Sequence, residues 1–204
     1  AGGGNNTITA ISDTSGFEIT TGSGADTINV GSNLDASFAS HIDAGDGANR
    51  ITTGAGDFWV TVGTGNDAIT LNSASGSDLK VIDSGGANTI RVLDGASFEI
   101  TTGSGADTIT LGNDTNGSGL NHVSADAGEN IIQVGSGSYV VSTGASADVI
   151  TVQVSATLDE LVILAGGGNN TITAISDTSG FEFAIGLGAD TINVGGILDS
   201  SFAS

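Results

Sequence analysis

Ten times along the chain a carboxylate or a carboxamide closes a short glycine-rich turn. In order these residues are Asn6, Asp26, Asn49, Asp67, Asn88, Asp107, Asn130, Asp148, Asn170 and Asp190. The gaps between them run from 18 to 23 residues, and Asn alternates with Asp without exception. The Asp turns follow G-x-G-x-Asp, the Asn turns a looser G-x-G-x-Asn, and each is followed two residues later by an aliphatic. Such turns suit one kind of chemistry. Glycine permits φ > 0 and close backbone approach, so carbonyl oxygens can converge at one edge of the fold. An aspartate there adds a hard anionic oxygen, and Ca²⁺ takes six to eight oxygens at about 2.3–2.6 Å. On this reading Asp26, Asp67, Asp107, Asp148 and Asp190 are metal ligands, with Asn6, Asn49, Asn88, Asn130 and Asn170 as further candidates and Ca²⁺ as the cofactor. Additional acids (Asp46, Asp83, Asp126 with Glu129) stand beside three of the Asn turns. A metal-free reading stands next to this one. Stacked Asn amides hydrogen-bond one another along a solenoid, and Asp can occupy such a ladder beside them.

The segments GSGADTINV, GTGNDAITL, GSGADTITL and GLGADTINV resemble the glycine- and aspartate-rich calcium repeats of RTX proteins, G-G-x-G-x-D-x-U-x. The resemblance implies a secreted bacterial protein whose repeats fold into a parallel β-roll on binding calcium. It carries over to the second glycine, the third glycine, the Asp and the following aliphatic, which in one turn are Gly63, Gly65, Asp67 and Ile69. The chain departs from the family in three ways. The first family glycine is Thr21, Val62, Thr102, Thr143 or Ile185; Ser146 replaces a motif glycine; and the nine-residue tandem spacing is missing. One-edged coils of this kind are similar to the extension regions of giant RTX adhesins, ice-binding ones included.

The elements that must hold these turns are strands. In DTINV (26–30) Ile28 and Val30 fall on one face and Thr27 and Asn29 on the other; in FEITT (17–21) Phe17, Ile19 and Thr21 alternate with Glu18 and Thr20. Glycine density argues against helix. Residues 1–40 match 165–204 at 33 of 40 positions, and FEITTGSGADTI recurs at 17–28 and 98–109. Turn glycines Gly22, Gly63, Gly103, Gly144 and Gly186 step by 40 to 42 residues, which defines five units of about 41. Each unit divides into two coils of about 20. The expected fold is therefore all-β, a parallel β-solenoid of about ten coils in one uncapped repeat domain over 1–204. At roughly 4.8 Å per strand the rod would be about 48 Å long. Phe17, Phe58, Phe98, Tyr139 and Phe181 recur once per unit, which predicts an interior aromatic column with rings about 9–10 Å apart.

Composition narrows the functional classes. The 204 residues hold 34 Gly, no Pro, Cys or Met, and 23 Asp and Glu against three Lys and Arg, for a net charge of −20. Nucleic-acid binding needs a basic footprint, so no nucleic-acid partner is expected. Without cysteine there is no thiol redox chemistry and no disulfide frame. No apolar run approaches the ~20 residues of a membrane span, so membrane insertion is not expected. Catalysis finds little to work with. His41 and His122 share one column with Lys80 but have no nucleophile beside them, and this reads as a modest basic stripe on a solvated face. The chain is not expected to be an enzyme.

The outward positions after the turns hold twelve threonines, Thr7, Thr9, Thr27, Thr52, Thr70, Thr89, Thr108, Thr110, Thr151, Thr171, Thr173 and Thr191. They resemble the face of a β-solenoid antifreeze protein, although Arg50, Ala68, Arg91, Ile131, Gln133 and Val149 interrupt the array. Solenoids need polar caps, yet neither end departs from the repeat. Ser204 aligns with Ser40 and Ala1 with Ala44. The chain starts without methionine, so it reads as a mature chain or a window of a longer one. The expectation is a secreted or cell-surface rod, structural or adhesive, that continues in a longer chain or self-associates end to end. Variable connections at 31–40, 72–78 and 112–119 favour scaffolding. The alternative is a module that binds ice or a surface polysaccharide through the Thr array.

Overall fold

The computed structural model is a β-solenoid, and it describes residues 1–12, 14–33, 37–73, 76–95, 97–114, 119–153, 160–175 and 180–195, with Gly180 and Phe181 at the backbone only. Parts of the three variable connections, the Phe181 side chain, and residues 196–204 with Ser204 lie outside the described residues. Among the described residues nineteen strands, from Thr7–Ala10 to Thr191–Gly195, alternate between two sheets. The ten odd-numbered strands form one sheet and the nine even-numbered strands the other. All pairing between neighbouring strands is parallel. No helix in the described residues is long and apolar enough to cross a membrane.

Each strand of the ten-stranded sheet begins just after an Asn or Asp of the turn column, and we call it the Asx sheet. Its register is unbroken. Ile8 sits on Ile28, Ile28 on Ile51, and the same position is isoleucine in every coil up to Ile192. From Ile28 to Ile172 these side chains are no more than 1% exposed. Isoleucine suits the place because β-branching restricts χ1 and fits a pleated surface. The alternation read from the sequence thus holds, with the apolar face inward and threonine outward.

The nine-stranded sheet carries the aromatics and is called the aromatic sheet. Phe58, Phe98 and Tyr139 are buried, and Phe17 is half-buried at the first coil. The column reads Ser40, Phe58, Leu79, Phe98, Asn121, Tyr139 in successive coils. One spacing differs from the expectation. The Phe98 and Tyr139 rings lie nearly parallel with centroids 6.4 Å apart, closer than two strand spacings. Asn121 is the residue between them, and it is short enough to let the rings lean together. Its amide is also fully engaged. Oδ1 accepts from the Phe98 N–H at 2.8 Å, and Nδ2 donates to Asp114 and the Ser138 carbonyl. The Tyr139 hydroxyl donates to the Gly112 carbonyl at 3.1 Å.

Burial at Phe98 therefore rests on two coils at once. Phe98→Ala should cost about 3–5 kcal/mol in urea unfolding, while truncation of the exposed Phe38 (63% exposed) should change little. Equal effects of the two substitutions would contradict the column.

Candidate functional site

The turn column is a single interior ladder. Each backbone N–H of the column donates to the Oδ1 of the next member. Asn6 donates to Asp26 at 2.7 Å, Asp26 to Asn49 at 3.0 Å, Asn49 to Asp67 at 2.7 Å, Asp67 to Asn88 at 2.8 Å and Asn88 to Asp107 at 2.8 Å. The run continues from Asp107 to Asn130, Asn130 to Asp148, Asp148 to Asn170 and Asn170 to Asp190, all within 3.0 Å. Backbone carbonyls of the same residues accept from the first strand residue of the following coil, as with Thr89 N–H to Asp67 O at 2.8 Å. The column faces inward. Asp26, Asn49, Asp67, Asn88, Asp107, Asn130, Asp148 and Asn170 are at most 2% exposed, so these carboxylates are not an open file along the edge of the rod.

Glycine makes this approach possible. Gly65 and Gly86 stand two residues before Asp67 and Asn88 with φ of +147° and +118°. A Cβ on Gly86 would fall on the Gly65 carbonyl, so the turns stack backbone on backbone.

The second side-chain atom separates the two kinds of turn. In the Asn turns Nδ2 donates to carbonyls of its own loop, Gly47 for Asn49, Gly86 for Asn88 and Gly128 for Asn130, each at 3.0 Å. In the Asp turns an oxygen replaces that donor. The Oδ2 atoms of Asp26, Asp67, Asp107 and Asp148 are buried without a hydrogen-bond partner. A buried carboxylate oxygen in this state is costly and suits a cation, although the Asp26 carboxyl, despite its burial, is held below the usual range by hydrogen bonding.

The demand is greatest in the middle of the rod. Asp83 stands five residues before Asn88, in a column that holds Ala44, Ala125 and Ala165 in other Asn turns. It is 4% exposed. Its Oδ2 accepts from Asn88 Nδ2 at 2.7 Å and from the Gly103 N–H at 3.3 Å, while Oδ1 has no partner. The neighbouring Thr102 hydroxyl is likewise buried and unpartnered. Burial pushes the Asp83 carboxyl up, and the charge of Asp107 adds to this against opposing backbone donors. Burial also pushes Asp67 up to about 6, with the charges of Asp83 and Asp46 reinforcing it and the bonds from Asn49 opposing it.

A fit to Ca²⁺ can be tested on these atoms. Each buried Asp turn whose side chain is fully described offers one orphan hard oxygen beside a glycine loop, which is the right donor type. Among the described residues no three acidic or imidazole side chains converge where they could hold a metal ion. Backbone carbonyls would have to complete any coordination shell. Of the ten predicted residues, the structure brings all into one ladder. The sequence also pointed to Asp83, but its burial shows only when its column is compared with Ala44, Ala125 and Ala165. Asn121 was missed, and its signal is a polar residue between Phe98 and Tyr139 in a column that runs Ser40, Phe58, Leu79, Phe98, Asn121, Tyr139.

His41, Lys80 and His122 do share one outward row, which reads Glu18, His41, Trp59, Lys80, Glu99, His122 across the aromatic sheet. Lys80 Nζ pairs with Glu99 at 2.7 Å. The chain matches no family model, no curated protein and no solved structure.

Asp67 provides the pH test. Its pKa rises on folding from 3.8 to about 6, so the folded state holds a proton that the unfolded state releases. Stability from this group is present below about pH 4 and is lost as pH rises to about 6. With chelator present, the melting midpoint should fall across this window. Asp67→Asn should flatten the fall and raise the midpoint at pH 7, at about 2–4 °C per kcal/mol gained. A lower midpoint for Asp67→Asn would overturn the orphan-oxygen argument.

Proposed function

We propose that this chain is an extracellular structural or adhesive rod, part of a surface filament, stalk, sheath or adhesin, held by its stacked turns and by Ca²⁺. The supporting observation is a comparison that the repeat itself provides. Ile28 and Val30 are 0% and 5% exposed, whereas their repeat equivalents Ile192 and Val194 are 42% and 54% exposed. Coil-on-coil cover is what buries the first pair, since Ile51 and Thr53 stand on Ile28 and Val30. A further coil of the same kind, from a longer chain or from a second copy stacked end to end, would bury this apolar surface and accept the next bond of the ladder. Regular geometry is spent on core and turns, as a scaffold requires. The rod is read as a non-enzyme, a scaffold whose repeats spread similar side chains evenly along its axis.

Calcium would act at the Asp turns one by one, with a single orphan carboxylate oxygen such as Oδ2 of Asp67 or of Asp107 as its anionic ligand and glycine-loop carbonyls completing the shell. Bound there it would neutralise buried charge and stiffen the central coils. Electron microscopy of purified protein should show rods joined along their axis, and EDTA should weaken the β circular dichroism signal or lower the melting midpoint. Single dispersed particles would argue against end-to-end assembly. A midpoint indifferent to chelator would remove calcium from the proposal and leave the raised Asp67 and Asp83 carboxyls to take up protons instead.

A second reading has one observation in its favour. The register gathers the twelve threonines into two rows on the outer face of the Asx sheet, and those twenty positions contain no Asp or Glu. In a chain of net charge −20 this face suits ice or a polysaccharide. Thermal hysteresis at micromolar protein is the expected sign of ice binding, and its absence would leave polysaccharide alone.

A further inference from the structure

The outer face of the aromatic sheet carries a second feature, on the side of the rod away from the threonines. Trp59, the chain's single tryptophan, projects outward from the strand Phe58–Thr64 and is 47% exposed. It does not stand alone. The His41 ring lies 4.7 Å from it by centroid at 40°, and Lys80 flanks it on the opposite strand. One pleat further along, Asp43, Thr61 and Ile82 form the second outward row. Small side chains in that row beside a large indole leave a surface cleft of about 270 Å³, lined by Glu18, His41, Asp43, Trp59, Lys80 and Ile82.

The chemistry of the lining is mixed in a specific way. Trp59 and the 40% exposed Ile82 give an apolar platform. Glu18 and Asp43 present acceptors, while His41 and Lys80 present donors. Few ligands need a flat apolar contact and a rim of both donors and acceptors together. A pyranose ring is such a ligand, with an aliphatic C–H face on one side and hydroxyls around its edge. The cleft is shallow and slightly smaller than the roughly 300–1,000 Å³ of enclosed ligand pockets, so it suits one unit of an extended chain. Charge narrows the class further. Lys80 is already paired with Glu99, the carboxylates of Glu18 and of Asp43 (whose Oδ1 accepts from the Gly45 N–H at 3.2 Å) face the cleft, and the rod as a whole is strongly acidic. An anionic glycan is repelled.

We propose that the Trp59 cleft binds a sugar unit of an uncharged or amino-sugar polysaccharide, with the indole as stacking platform and Glu18, His41, Asp43 and Lys80 as hydrogen-bonding rim. This goes beyond the rod reading and does not depend on it, since the site lies within four adjacent strands of one chain.

The single tryptophan makes the site self-reporting. Titration of the full chain with cellohexaose and with chitohexaose, followed by tryptophan emission, should give a saturable change with at least one of them. Trigalacturonate should give none. By calorimetry, Trp59→Ala should weaken that binding about tenfold or more, about 1.4 kcal/mol. Trp59→Phe should retain most of it, and Leu120→Ala, at an exposed position in a distant connection, should have no effect. Circular dichroism checks each fold, and His41→Ala serves in place of Trp59→Ala should the latter lose its β signal. No saturable response to either neutral oligosaccharide up to about 10 mM, well above the millimolar range of weak binding, would overturn the proposal. So would undiminished binding by Trp59→Ala, or a preference for trigalacturonate. Filament formation is unaffected by any of these outcomes, so the two readings fail separately.

Discussion

The bond from each turn residue's N–H to the Oδ1 of the next is the constraint on which this fold hangs. It fixes coil on coil at one place per turn, and the strands on either side inherit their register from it. Once Asn49 is set against Asp67, Ile51 must sit on Ile69 and Thr52 on Thr70. Parallel strands have no hairpin to align them, and a slip by one residue would turn the isoleucine column outward. A side-chain bond repeated in every coil does the work that a tight turn does in antiparallel sheets.

That ladder also imposes a conflict. Oδ1 is used identically by Asn and Asp, so the backbone does not distinguish them. The other atom does, because a carboxamide can donate to its own loop and a carboxylate cannot. Alternation leaves a donor in one coil and an orphan oxygen in the next. An all-Asn ladder would avoid the difficulty, and its absence is the reason to connect Asp26, Asp67, Asp107 and Asp148 with cations. Asp83 intensifies the same conflict, since it introduces a carboxylate where the Asn turns of Asn49, Asn130 and Asn170 hold alanine.

The fold was legible in the sequence because every coil repeats the same alternation. DTINV and FEITT gave the two strands, and the ten turn residues gave the coil length. What was less legible is direction. An Asp after glycines reads equally well as an edge ligand or an interior rung, and only the burial of Asp67 and Asp107 distinguishes them. Ring spacing was misjudged for a similar reason, since strand geometry fixes the Cα of Phe98 and Tyr139 but not the lean that Asn121 permits. Trp59 was unremarked because a single exposed aromatic has no period to reveal it. Repetition exposes whatever recurs and hides whatever occurs once.

The strict alternation of Asn and Asp gives the stack a parity. If one coil were looped out during folding, Asp would come to rest against Asp, or Asn against Asn, and two bare carboxyl oxygens or two amides would meet where one of each belongs. Omission of two coils restores the match. Errors of odd count are thus penalised chemically, and those of even count are not. The same arithmetic marks the chain's history. Its longest internal copies lie 81 and 164 residues apart, which are four and eight coils, so the lengths by which this protein has grown are those its ladder does not reject.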